Sequence, residues 1–297
     1  MLRTIAALLL ITPAFASSLQ LLVLGSGGPR PFGRACSSYI VMVDGTPRIL
    51  IDAGPGAFLR IGELNVDLEK VDTILLTHLH IDHSGDLPGF FKARTLTASA
   101  SSIRFAVFGP DGAGIFPSTA NFVNLLFGDK GAWAYQKTFG ANEDIQAVNL
   151  PIQLNTAQRT IVNKDGLRIS TIATHHGDCP SVAYRVDYKT ESIVFSGDMD
   201  VSALANLERL AKNCALLVFN CAVRDPPESP SQLYALHTPP GKIGEAAQSA
   251  KVKRLLLSHL APDIEGARQE VLVSIRRSYK GPVEFAQDKM RTGTAVQ

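Results

Sequence analysis

The 297-residue chain reads as an α/β protein built in layers. Three observations predict it. Apolar runs of strand length alternate with short helical stretches along nearly the whole chain. Hydrophobic residues make up 45%, enough for a large core. The 24 glycines and 17 prolines are scattered rather than clustered, which excludes collagen, coiled coil and wholesale disorder.

Taken in order, residues 19–24 form an apolar strand closed by the turn cluster Gly25-Ser-Gly-Gly-Pro29. Residues 38–43 and 48–51 are β-rich and joined by Asp44-Gly45, a hairpin signal. Residues 57–64 suit a short helix, and 71–76 a buried strand that runs straight into three histidines. Residues 90–165 are the least periodic part and predict an irregular insert on the substrate side of the fold. Within it, 105–108 is a short strand, and Ser118 caps a helix that stops near Gly128. Strands resume at 167–173, 181–186, 192–195, 216–219 and 254–257, the last preceded by a helix around 243–250.

One internal echo stands out. Val71-Asp-Thr-Ile-Leu-Leu-Thr-His-Leu79 aligns without gaps on Val252-Lys-Arg-Leu-Leu-Leu-Ser-His-Leu260. Two related halves would each deliver a histidine from a strand end to one shared site; buried strands also resemble one another by chance.

Residues 1–16 read as a secretory leader. Arg3 supplies the positive start, 5–11 the apolar stretch, Pro13 the break, and Ala14-Phe15-Ala16 the small residues at the cleavage point. The stretch is shorter than the roughly 20 residues a membrane helix needs. Residues 17–297 are therefore expected to be one domain without a membrane span, periplasmic or secreted. The formal charge of +2, with no basic run beyond Lys251-Val-Lys253-Arg254 and Arg276-Arg277, gives no sign of a grip on nucleic acid by charge. Cys36, Cys179, Cys214 and Cys221 contain no CxxC pair, so a thiolate zinc site has no support. Cys214 and Cys221 flank a strand whose rise, about 3.3 Å per residue, puts them beyond disulfide reach; the other pairings stay open.

The chemistry concentrates in Thr77-His78-Leu-His80-Ile-Asp82-His83 at a strand's C-terminal end, where three of the seven histidines fall within six residues. His78 and His80 are two apart, so in extended chain their rings share a side. Asp82 and His83 follow at the turn and can face a second ion. Imidazole and carboxylate together suit zinc, or less selectively manganese or iron. Further ligands follow later strands, in Thr174-His175-His176-Gly177, in Gly197-Asp198 and in Ser258-His259.

Together these motifs resemble the metallo-β-lactamase-fold hydrolases, in particular their ribonuclease Z and arylsulfatase-like branch. The resemblance rests on Leu24-Gly-Ser-Gly-Gly-Pro29, Leu50-Ile-Asp52-Ala-Gly54-Pro-Gly56, the histidine cluster continuing into Ser84-Gly85-Asp-Leu-Pro88-Gly89, His176-Gly-Asp-Cys-Pro180, Phe195-Ser-Gly-Asp198 and Leu257-Ser-His259, in that order. It implies a four-layer αββα sandwich of two mixed sheets flanked by helices. It implies one divalent ion held by His78, His80 and His176, a second held by Asp82, His83 and His259, and Asp198 bridging both. Zinc is the first expectation for the pair, with manganese or iron as alternatives, and His175 competes with His176. Asp52 is expected to stabilise its turn rather than bind metal.

The implied reaction is hydrolysis of a small anionic ester (a phosphodiester, or a sulfate or phosphate ester) by water activated between the two ions, with Asp82 relaying a proton and His237 protonating the leaving group. A lactone or carboxylic ester substrate, an iron-dependent dioxygenase, and a non-catalytic metal or anion binder are the alternatives. The family's His-Glu-Ala-Thr segment is here Asn220-Cys221-Ala222-Val223, and no basic tRNA-clamping arm is recognisable in 114–164, so tRNA is not the expected partner. A homodimer stays open. Phe116, Phe122, Phe127, Trp133, Tyr135 and Phe139 are read either as a cover over the site or as core beneath a helix.

Overall fold

The computed structural model describes residues 18–30, 32–97, 102–139 and 142–294. The leader read at residues 1–16 lies outside the described residues. The first sheet takes β1 (Leu19–Gly25), β2 (Ser38–Val43), β3 (Thr46–Ile51), β4 (Thr73–Leu75), β5 (Ser102–Pro110) and β6 (Asn142–Leu150). The second takes β7 (Arg159–Lys164), β8 (Leu167–His176), β9 (Cys179–Tyr188), β10 (Glu191–Phe195), β11 (Leu216–Asn220), β12 (Leu255–Ser258) and β13 (Val283–Phe285), after which β14 (Arg291–Gly293) returns to the first. The strand orders are β14-β1-β2-β3-β4-β5-β6 and β13-β12-β11-β10-β9-β8-β7. Each sheet is antiparallel on one side and parallel on the other: β3 to β6 run parallel, as do β10 to β13.

Strand alternation assigns the layers. In β1, Leu19, Leu21 and Val23 face the second sheet and pack with Ile169, Val182 and Val186 from it. Leu22 and Leu24 face outward, against the helices α1 (Ala57–Glu63), α2 (Ile81–Ser84), α3 (Leu87–Thr97) and α4 (Thr119–Phe127) on that flank, where Ile61, Phe91 and Phe127 join the same cluster. On the far flank, Leu217, Phe219, Leu255 and Leu257 pack against α5 (Leu204–Ala211), α6 (Pro240–Ser249), α7 (Pro262–Gly266) and α8 (Arg268–Arg276). Central strands such as β2 and β11 are buried at every residue, which is why they read as continuous apolar runs. The four-layer αββα sandwich is the observed architecture.

Two sequence expectations need correction. Residues 90–165, expected to be irregular, carry most of α3, then β5, α4, β6 and β7. The periodic signal was weak there because β6 and β7 are the outermost strands of their sheets, and β7 is largely exposed. The internal echo does not mark matching positions either. β4 is the first parallel strand beyond its meander, whereas β12 is the second beyond the other. What β4 and β12 share is burial on both faces and an ending at the same edge of the sandwich.

At that edge the sheets are cross-tied. The buried Tyr184 hydroxyl on β9 donates to the carbonyls of Leu76 at 2.9 Å and Phe108 at 3.2 Å in the first sheet. The Val182 amide donates to Thr77 O at 2.9 Å, and the Tyr39 hydroxyl to Ser258 Oγ at 2.7 Å. Thr77 and Ser258 immediately precede His78 and His259, so these ties set the spacing between histidines that arrive on different sheets. Tyr184→Phe strips the Leu76 carbonyl of its donor in a dry interior. We expect a loss of about 1–3 kcal/mol in urea unfolding, with the fold retained.

Candidate metal centre

Every side chain of the sequence-predicted cluster leaves the sandwich at one edge. His78 and His80 follow β4; Asp82 and His83 sit on the single turn of α2; His176 ends β8; Asp198 follows β10; His259 follows β12. Gly197 makes Asp198's approach possible, since its φ of +60° is a left-handed conformation and a Cβ there would lie 2.8 Å from Thr77 Cβ. Gly28, in the first glycine turn, lies against the His259 ring, where a Cβ would come within 2.6 Å of Cε1.

The ligand atoms converge in two groups, with a carboxylate of the second lying between them. His78, His80 and His176 form one, with His176 Nε2 3.3 Å from His80 Nδ1. Asp82, His83, Asp198 and His259 form the other, with His259 Nε2 3.2 Å from Asp82 Oδ2. Asp198 Oδ2 stands between them: His259 Nε2 is 3.3 Å away, His176 Nε2 3.6 Å, His83 Nε2 3.7 Å and His78 Nε2 3.9 Å. His237 Nδ1 approaches the same oxygen at 4.0 Å and closes a third group with His176 and Asp198.

Outer partners turn the rings. His83 Nδ1–H donates to Asp52 Oδ2 at 2.7 Å, and Asp52 is itself held by the Thr77 amide and hydroxyl. His176 Nδ1–H donates to Leu236 O at 2.8 Å, and Thr77 Oγ1 lies 3.1 Å from His78 Nδ1. Each partner leaves an Nε2 lone pair facing inward. Asp52 therefore does not join the ligand groups, and its role extends past its own turn to the orientation of His83. Asn220 escaped the sequence reading: its buried amide donates to Asp198 Oδ1 at 2.7 Å. A polar residue ending an apolar strand, in the position of a family motif, was the signal that could have found it.

The donor set fits a divalent cation. His78 Nε2 and His83 Nε2 are buried without a hydrogen-bond partner, a costly arrangement unless an electron-pair acceptor sits among them. The electrostatics divide the cluster. Burial pushes Asp198 up, but the charges of His259, His83 and His237 outweigh it and hold the carboxyl well below its usual range. Burial holds His78 well below its usual value, in the neutral state a metal ligand needs. Burial also pushes His83 down, but the Asp52 and Asp198 carboxylates outweigh it and hold that ring well above its usual value.

His176, not His175, faces inward. The His175 side chain turns away, 45% exposed, and its Nδ1 lies 2.6 Å from Asp200. The aromatics of the insert divide. Phe116 packs at a tilt against His80, 5.7 Å between ring centroids; Phe122 and Trp133 line a groove with Leu79 and Ile81; Phe127 is core, 4.7 Å from Phe91; Tyr135 is half exposed. The Phe139 side chain lies outside the described residues. All four cysteines are free. Cys221, in the family's Glu position, is fully buried with its thiol pushed up to about 12 by burial, so no acid stands there.

Residues 47–260 match the family model described as the β-lactamase superfamily domain. The chain belongs to that family. Within the superfamily, its curated relatives include the ribonuclease Z of Mycobacterium avium (strain 104), 28% identical over 92% of this chain and 97% of the relative. The short form of human tRNase Z superposes with a TM-score of 0.71 at 18% identity, covering 93% of this chain and all of the other. The metallo-β-lactamase fold protein YhfI of Bacillus subtilis gives 0.67 at 19%, covering 92% and 99%. This superfamily member is thus similar to ribonuclease Z proteins over nearly the whole chain and shares the metallo-β-lactamase fold of its structural neighbours.

The outer partners give a direct test. Asp52→Asn and Asn220→Ala should each weaken metal retention by roughly 10–100-fold in chelator competition, with an unchanged circular dichroism spectrum. Unchanged retention in both would show that His83 and Asp198 hold their geometry unaided.

Proposed function

We propose that this superfamily member is a binuclear hydrolase of small anionic esters, a phosphodiester or a sulfate or phosphate ester, working outside the cytoplasm. The observation that carries the reading is Asp198 Oδ2, within 4 Å of four imidazoles that come from both groups and both sheets. His78, His80 and His176 would hold one ion, Asp82, His83 and His259 the other, with Asp198 common to both and zinc the metal favoured by the donor set. Two such ions supply a water of lowered pKa and positive charge for the substrate oxygens.

The chain's own groups do the rest. Both oxygens of Asp198 are engaged, one by Asn220 and one by the histidines, so it keeps its position. Asp82 has Oδ2 on His259 and is the carboxylate left to take a proton. His237 borders both the cluster and an adjoining cavity, so it is placed to give a proton to the leaving group. Burial lowers its pKa to about 4, and the negative charge of a bound ester beside it works against that shift. The extracytoplasmic location is supported by the leader read in residues 1–16.

RNA 3′-end cleavage is the second reading, favoured by the name ribonuclease Z that the Mycobacterium avium relative carries, matched over 92% of this chain. Against it stand Asn220-Cys221 in place of the His-Glu pair and the absence of a recognisable basic arm. Zinc-loaded protein should hydrolyse bis(p-nitrophenyl) phosphate or an aryl sulfate and leave a tRNA precursor intact. Cleavage of the precursor alone would favour the second reading. One iron per chain with oxygen consumption would replace hydrolysis by oxygenation.

Variants separate the roles. His80→Ala and Asp198→Ala should lose metal and activity together. His237→Ala should keep its metal and lose about 10²-fold in kcat on poor leaving groups, and far less on p-nitrophenyl esters, which need no proton.

A further inference from the structure

Beside the cluster, on the side of His237 and His259, the surface opens into a cavity of about 300 Å3. Its walls come from three separate places: Pro29 from the first glycine turn, Ala222, Pro230 and Leu233 from the segment after β11, and Ala261 and Pro262 after β12. These groups are apolar. The one polar hydroxyl, Ser229 Oγ, already accepts from the Arg224 amide at 2.9 Å. Two charged side chains reach the lining, Arg30 and Asp263, and they neutralise each other in an exposed pair at 2.9 Å. None of these groups is a metal ligand in the reading above except His259, and the cavity touches the proposed proton donor directly.

Resting on the hydrolase reading, we propose that this cavity seats the leaving group of the substrate, and that the group is compact, uncharged and apolar, one or two rings in size. The dimensions argue for it, since an apolar cavity of roughly 150 Å3 holds a benzene molecule. Charge argues for it too. A nucleotide chain continuing from the scissile ester would place a second phosphate here, where the one arginine among the described lining residues already shares its charge with Asp263 and where that carboxylate would repel it. An apolar ring has no such penalty and gains from leaving water. The site then divides its work: the cluster takes the anionic ester, and the wall of prolines, alanines and Leu233 sorts what is attached to it.

The test reads binding as well as turnover. Phenylphosphonate and methylphosphonate, which present the same anion with and without a ring, are titrated by calorimetry into zinc-loaded full-length protein. The ring should tighten binding by roughly tenfold or more. Leu233→Trp, and independently Ala222→Leu, should shrink that ratio toward one while leaving methylphosphonate affinity and zinc content as they were. Equal affinity for the two phosphonates in the unaltered protein would overturn the cavity proposal and leave the hydrolase reading standing. So would a ratio untouched by both variants. If neither phosphonate bound and no ester were turned over at full zinc occupancy, the hydrolase reading would fall and the cavity proposal with it.

Discussion

One buried carboxylate organises this protein's edge. Asp198 Oδ2 faces four inward imidazoles and His237 at distances of 3.3 to 4.0 Å, in an interior that would ordinarily reject an anion. A charge there is tolerable only with opposite charge or donors around it. The surrounding chain is arranged accordingly: Asn220 takes one oxygen, and the rings are turned by Asp52, Thr77 and the Leu236 carbonyl so that lone pairs face inward. With those lone pairs directed inward, a divalent cation can take the place of protons on the rings, and this is the physical reason the donor set fits metal.

The sandwich serves that constraint. Two mixed sheets packed face to face bring the parallel strands β4 and β12 to one edge, although they are separated by most of the chain. The Tyr184, Val182 and Tyr39 cross-ties lie at that edge and not in the middle of the interface. Rigidity is thus concentrated where ligands from different sheets must keep their spacing. The non-glycine residues Asp52 and His259 both take φ near +54°, strained turns at strand ends that aim their side chains at the cluster.

The open side of the site has a different character. His237 and the apolar cavity beyond it lie on connecting segments, where a few substitutions alter shape without disturbing the sheets. The replacement of a His-Glu pair by Asn220 and Cys221 falls instead at the end of β11: the amide is put to use on Asp198, and the thiol joins the core. In the proposed reading the cluster holds the ester, and the side chains around Leu233 sort what is attached to it.

How much of this was legible beforehand depends on the range over which each feature is set. Local pattern alone determined the central strands, because burial on both faces leaves an unmistakable apolar run, and it determined the ligand types, because His78, His80, Asp82 and His83 are neighbours in sequence. The edge strands β6 and β7 left little trace, being half solvated. Three things only tertiary structure decided: that His176 and not His175 turns inward, which depends on Leu236 and Asp200 lying on opposite sides of β8's end; that Asn220 supports Asp198; and that a cavity forms from three distant loops. Each rests on residues far apart in the chain, and no spacing rule carries the relative position of two segments whose distance is fixed by packing rather than by covalent geometry.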